Sequence, residues 1–379
     1  MEVINGTKYC VEATESTDGN GDIQLLAVVK ATYDFPETND QPLILSEEQK
    51  EIMDSDLDEG EAGLSTPYFE NNWSLIKPKC DVVIKATAYP PADHQGDKFK
   101  ASFNVAGCEK TVWVQGEQTW QKNSMGRLVL TPKKPLTSTP ITYSRSYGGS
   151  WVANEQQDES FNSFYLENPV GTGFYEKQHK ELLEGKTAPC IFADESAMSA
   201  GKPSKPVSFG PIGRHWSPRA QYAGTYDQDW VDNVFPLWPS DFDARFFQTA
   251  PEDQQIDYPT GGETVELYNM HPARSLISFQ LPKNVKLPMV ALLNSRTVET
   301  LDTNIDTIEI DVDQQKISLV WRAVLPLKRS LREVEMLALG SVCKRWWRSQ
   351  VFGIGDCGCG GVETKEEDLV VVTNAMEAV

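Results

Sequence analysis

Residues Phe209 to Tyr258 constrain the fold more than any other stretch. They read FGPIGRHWSPRAQYAGTYDQDWVDNVFPLWPSDFDARFFQTAPEDQQIDY. Eleven of these fifty residues are aromatic, against 10% for the whole chain. Rings carry large areas into a core, so the stretch is expected to be a packed hub. Prolines at 211, 218, 236, 239 and 251 forbid a long helix or a central strand. Two short helices fit between them. One is capped by Thr225 with Gln228 three residues on and ends at Pro236. The other is capped by Ser240, with Asp243 in its first turn.

Around the hub the signal is strand. DIQLLAVVKATYDF (22–35) and CDVVIKATAY (80–89) are rich in β-branched residues. KFKASFNV (98–105) alternates, with Phe99, Ala101, Phe103 and Val105 on one face. Ala106–Gly107 then turns the chain into GCEKTVWVQG. A short strand is expected at 126–131, and two more in ETVELYNM and LISFQLP. In the clearest hairpin, 305–322, Ile308, Ile310 and Val312 alternate with acids that are expected to face water, and Asp313–Gln315 turns. Ser46 to Leu57 reads as a short helix capped by Ser46 and Gln49, and Phe174 to Gly185 as another. The expected class is mainly β (β-rich α+β): antiparallel, sandwich-like sheets with long Pro/Gly-rich loops and a few short helices.

The end of the chain differs. Arg322 to Arg348 holds seven basic residues and two acids. SLREVEMLALGSVCKRWWRSQ has a helical stripe of Leu331, Val334, Ala338 and Val342, interrupted by Gly340. The expected organisation is a body at 1–325, with sub-domains 1–135 and 263–325 joined by a loop-rich region 136–262. A basic helical extension at 326–355 and a flexible tail at 356–379 follow, where DLVVV can add a strand.

Charge narrows the partners. A formal charge of −20 and a pI near 4.7 argue against nucleic acid and against anionic membranes. The opening MEVINGTKYCVEATE lacks a basic start and an apolar run, so no export signal is expected there. Seven cysteines at irregular spacing, 10, 80, 108, 190, 343, 357 and 359, suit a reducing cytoplasm and buried thiols.

Chemistry is harder to find. His94, His179, His215 and His271 stand far apart without a metal-ligand spacing. Cys357 and Cys359 read as incidental thiols of a tail, and Asp302, Asp306, Asp311 and Asp313 lack the spacing of a calcium loop. His215 and Ser217 sit near Asp227 and Asp229, but Ser217 precedes a proline and lacks a GxSxG elbow. ENPVGTGF (167–174) lacks the GxxxxGK[ST] spacing of a phosphate loop. Neither a catalytic residue, a metal nor a cofactor is expected. Arg214, Arg219 and Arg245 either pair with Asp241, Asp243 or Glu252 to hold the hub together, or face a partner. Trp216, Trp230 and Trp238 of the hub, and Trp346 and Trp347 near the end, complete the candidate partner-binding residues.

GPIGRHWSPRAQYAGTYDQDW, followed by PLWPSDFDARFFQTAPEDQQ, resembles the hallmark segment of domain of unknown function family 2169. VVKATYDF, NNWSLIKPKCDVVIKATAYPP, VWVQGEQTW, PITYSRSYGG and ENPVGTGF are similar to further blocks of that family in the same order, over about residues 20–285. The acidic insert around 54–63 and the chain beyond about 325 depart from it. The resemblance implies a cytoplasmic bacterial adaptor or chaperone, without enzymatic activity, that binds a toxin effector of a type VI secretion system or its spike-tip protein. It would load the effector onto the spike, and co-secretion with the effector is compatible with that role. Two other classes compete. A carbohydrate-binding or hydrolysing β-sandwich would show a cleft with exposed tryptophans and carboxylates, and a structural spike or baseplate component would self-assemble.

Overall fold

The computed structural model describes residues 1–152, 162–199, 201–283, 285–352 and 369–372. Its largest sheet has seven strands. Cys10–Thr17, Ile23–Asp34, Lys316–Pro326, Asn304–Asp311, Cys80–Lys85 and Gln255–Ile256 run in that order, and Ile44–Leu45 joins Ile23–Asp34. All neighbours are antiparallel except Asn304–Asp311 and Cys80–Lys85. A six-stranded sheet orders Ile191–Phe192, Cys108–Gln115, Lys98–Val105, Thr264–Tyr268, Leu276–Gln280 and Gln41–Pro42. The protein is therefore mainly β.

The two sheets face each other across one core. Alternate residues Leu25, Ala27, Val29 and Ala31 of the first meet Phe99, Ala101, Phe103 and Val105 of the second, all at most 4% exposed. The Phe35 and Phe279 rings, 4.9 Å apart, mark the contact. Period-two patterning fixes this arrangement, because a one-residue slip would send the whole apolar set to the other face. At the 98–115 hairpin, Ala106 and Gly107 both take positive φ, 53° and 83°, as a two-residue turn requires.

The opposite face of the seven-stranded sheet is covered too, which corrects the expectation of a wet face on 305–322. Asp306, Thr307, Glu309 and Asp311 are buried, as are Ser318 and Arg322 on the return strand. Residues 46–79 and the hub lie over them. The 46–57 stretch is not helical. Gln49 instead accepts from the Thr32 backbone N–H at 2.8 Å and donates to the Thr32 carbonyl at 2.9 Å, beside the Ser46 N–H that reaches the same carbonyl at 2.9 Å. Lys177–Leu183, within the expected 174–185 helix, is a 3-10 segment.

A third sheet has five strands, with Val334–Cys343 between Glu2–Gly6 and Met289–Leu293; Val298–Thr300 and Leu369–Val371 complete it. This overturns the helical reading of 331–343. Val334, Met336, Leu337, Ala338 and Leu339 are all buried, because both faces of the strand are covered, and a doubly buried strand loses its period-two signature. The helix begins only at Lys344–Phe352. It docks on its own body through Trp347 and Val351, which join Val290, Leu292, Met336 and Ala338 in a separate small core. The contact is apolar, although the segment is basic.

Gly340 lies inside that strand at φ 75°, and a Cβ there would stand 2.6 Å from the Thr7 side chain. Gly340→Ala is expected to cost about 1–3 kcal/mol, read as a lower urea midpoint. A midpoint unchanged by the alanine would show that the strand tolerates an ordinary residue there. Cys357, Cys359 and most of the expected tail lie outside the described residues.

Candidate functional site

Charged groups stranded on the second face of the sheet decide where the hub sits. Lys30 Nζ pairs with Glu309 at 2.8 Å, and Lys77 with Asp81 at 2.8 Å. Arg322 pairs with Asp306, and Lys85 reaches Asp311 at 3.4 Å. Burying such groups is costly unless every lone pair and proton is matched. Hub residues supply part of the match. Gln248 Nε2 and the Thr249 backbone N–H donate to the two Asp81 oxygens at 2.6 and 2.7 Å. Gln254 donates to the Val82 and Phe209 carbonyls at 2.7 and 2.9 Å.

The hub arginines extend this lock. Arg219 is 2% exposed and grips Glu70 with both terminal nitrogens. Its Nε donates to the Phe246 carbonyl at 2.6 Å, and Nη1 to the Ile212 carbonyl at 3.2 Å. Arg214 shares Glu70 at 2.9 Å and adds Asp56 at 3.0 Å. Arg245 pairs with Asp243 at 2.6 Å, one of the expected partners, and lies 4.2 Å over the Tyr222 ring. Arg214 and Arg219 thus find acids about 150 positions upstream, where Asp241 and Glu252 had been the expected ones.

Burial alone would raise the Glu70 pKa. The hydrogen bond and charge of Arg219, with Arg214, outweigh it and hold the carboxyl below its ordinary 4.5. A depressed carboxyl contributes stability above its unfolded pKa and loses it as pH falls through the lower folded value. Acidification below about pH 4.5 is therefore expected to lower the urea midpoint of the wild type more steeply than that of Glu70→Gln. Parallel curves would count against this assignment.

Several sequence-chosen candidates are withdrawn from solvent. Trp216 is 1% exposed, edge-on to Tyr143 at 5.0 Å, and Trp347 is 1% exposed in the small core. With Arg219, at 2%, they are buried in the fold, where exposed partner-binding positions had been expected. Trp346 is partly buried beside Trp347. His215 is exposed, and Ser217 opens the one-turn helix Ser217–Ala220. Among the described residues, no group of three or more His, Cys, Asp or Glu converges as a metal site.

A cleft of about 540 Å³ lies at the hub, lined by Tyr143, Ile212, Arg219, Tyr222, Arg245, Lys110 and Asp253 among others. Within it Lys110 Nζ meets Asp253 at 2.9 Å and Gln254 at 2.7 Å.

Beyond the cleft, residues 226–238 form a lobe. The Gln228–Asn233 helix is capped by Asp227, whose carboxylate accepts from the Trp230 N–H at 2.9 Å, so Asp227 has the role expected of Thr225. Asp243 likewise replaces Ser240 as the cap of the 3-10 turn Ala244–Phe247. The Trp230 ring stands 4.7 Å from Tyr226 and 5.5 Å from Phe235, and its indole N–H donates to the Leu237 carbonyl at 2.9 Å. Trp238 packs on Phe242 at 4.4 Å and against Gly19, where a Cβ would come within 2.7 Å of the indole. Tyr226, Val231, Phe235 and Leu237 remain 55%, 53%, 65% and 39% exposed.

The family model for an uncharacterised protein conserved in bacteria (DUF2169) matches residues 20–322. The chain belongs to this family. No curated protein and no solved structure matches it. The DUF2169 span takes in the hub, the lobe and the facing strands of both large sheets. Val334–Cys343 and the Lys344–Phe352 helix, with Trp346 and Trp347, lie beyond it.

Sequence reasoning missed Glu70 and Asp81, which anchor the hub, and the four exposed apolar residues of the lobe. Asp81 had a legible signal, an acid at the head of an otherwise apolar strand. No helix in the described chain is long and apolar enough to cross a membrane.

Proposed function

We propose that this DUF2169 protein is a non-catalytic adaptor that holds another polypeptide. In the setting its family resemblance suggests, the client is a toxin effector of a type VI secretion system, which the adaptor presents to the spike. The observation that carries this reading is the lobe: four exposed apolar side chains within residues 226–238, where Tyr226 and Phe235 pack on Trp230. Exposed apolar groups gathered in one place mark interaction sites, and aromatic anchors dominate binding energy. A rigid surface also loses little entropy when it binds. The hub arginines suit the same role, because their ion pairs fix the platform. Binding would stabilise the client by mass action, without turnover. A glycan site of the rival class would offer exposed tryptophans with carboxylates in a cleft; the cleft at the hub carries carboxylates, Glu252 and Asp253, with tyrosines Tyr143 and Tyr222.

The test is co-expression of the full chain with the effector and spike proteins encoded beside it, followed by affinity purification. The wild type is expected to retain the effector, and Val231→Ser with Phe235→Ser to retain at least about tenfold less. Failure of the wild type to retain either protein would end the adaptor reading.

A further inference from the structure

We infer that the lobe receives a basic, apolar segment of its partner, one in which lysines or arginines alternate with apolar side chains. This rests on the adaptor reading and adds the chemistry of the client. Residues 220–244 contain five aspartates, Asp227, Asp229, Asp232, Asp241 and Asp243, and not one Lys, Arg or His. The turn packed beneath Trp238 and Leu237 adds Asp18 and Asp22, again without a cation.

The partners of these carboxylates matter more than their number. Asp227 accepts from the Trp230 N–H, Asp229 from Asn233, Asp232 from Gln228, Asp241 from Thr225, and Asp18 from the backbone N–H groups of Asn20 and Asp22. All of these donors are uncharged. Among the described residues, only Asp243 of the seven is ion-paired, with Arg245. The chain's buried acids, by contrast, meet cations, as Glu309, Asp81, Glu70 and Asp306 do with Lys30, Lys77, Arg219 and Arg322. Uncompensated negative charge therefore rings an apolar centre.

Such a rim attracts cationic partners and speeds their encounter, while the apolar centre supplies the hold. It also selects against other occupants. A second copy of this chain would bring like charges face to face, and an anionic membrane or nucleic acid would be repelled.

The test uses the full-length protein and three labelled synthetic peptides, read by fluorescence anisotropy. One alternates lysines and leucines as an amphipathic segment, the second replaces lysine by glutamate, and the third replaces leucine by serine. The lysine–leucine peptide is expected to bind tightest, and about tenfold more weakly at about 0.5 M salt. Asp227→Asn with Asp229→Asn and Asp232→Asn should weaken it about tenfold; asparagine still caps the helix, so the lobe keeps its shape. Val231→Ser with Phe235→Ser, both at exposed positions, should weaken it as much without a change in unfolding midpoint.

Equal binding of the glutamate–leucine peptide, or full binding by the triple asparagine variant, would overturn the inference. So would a concentration-dependent dimer in sedimentation that the serine variant abolishes, since it would make a second copy the occupant. The adaptor reading is judged separately. An effector retained by the wild type and by the triple asparagine variant alike would keep that reading and remove this one. Peptide binding as expected, with no effector retained, would do the reverse.

Discussion

Asp81→Ala is expected to destabilise the protein by about 3–5 kcal/mol, the range found when one member of a buried ion pair is removed. Asp81 is fully buried, and its carboxylate takes four bonds: from Lys77 Nζ, Gln248 Nε2, and the backbone N–H and hydroxyl of Thr249. Alanine would leave the Lys77 ammonium, itself 4% exposed, with Thr307 Oγ1 as its remaining side-chain acceptor. It would also orphan the Gln248 amide and the Thr249 N–H, each a buried donor worth about 1–3 kcal/mol when unpaired. Because Gln248 and Thr249 belong to the hub, the loss should loosen the hub first. Limited proteolysis within 209–258 should therefore precede global unfolding in urea. Lys77→Met with Asp81→Leu should recover part of the loss, since no unpaired charge then remains. An Asp81→Ala midpoint equal to that of the wild type would remove Asp81 as the anchor.

Arg219→Ala is expected to cost about 3 kcal/mol, at the lower end of the same range because Arg214 still faces Glu70. The side chain joins two parts of the protein at three points: Glu70 of the covering segment and the Phe246 and Ile212 carbonyls of the hub. Its removal strands a carboxylate that is 12% exposed and two carbonyls beneath the hub. Arg219→Lys should rescue little, because one ammonium cannot reproduce a fork that reaches a carboxylate and two carbonyls at once. Arg214→Ala is the control. That side chain is 44% exposed, so solvent screens its pairs, and the cost should stay under about 1 kcal/mol. Trp216, buried three residues before Arg219, contributes to the readout: tryptophan emission should shift to the red at lower urea in Arg219→Ala. Equal midpoints for the Arg219 and Arg214 variants would show that the buried fork adds nothing.

Strands that bury one face could be read directly. Phe99, Ala101, Phe103 and Val105 alternate with polar residues, and all four point into the sandwich. The 304–326 hairpin was equally legible in its positions and turn. Its acids were not, because alternation says which side chains share a face and nothing about what covers that face. Val334–Cys343 concealed its type for a related reason: burial on both sides makes nearly every position apolar, and a helix would look the same.

In the hub, the proline spacing announced short turns and the rings announced packing, and both are found. Caps shifted by a few residues, from Thr225 to Asp227 and from Ser240 to Asp243, because several short polar residues compete at each helix start. Which rings would be inside was not legible: Trp216 is buried, while Tyr226 and Phe235 stand in solvent.

The order of residues alone determined a mainly β chain with an aromatic, proline-broken hub and placed most of its strands, since those properties follow from backbone preference and short-range periodicity. Only the tertiary structure decided that Arg219 meets Glu70 across 149 positions, and that Asp81 meets Thr249 across 168. It also decided that the aspartates around Trp230 meet almost no cation. Charge pairing acts through space, and its partners are chosen when distant segments pack.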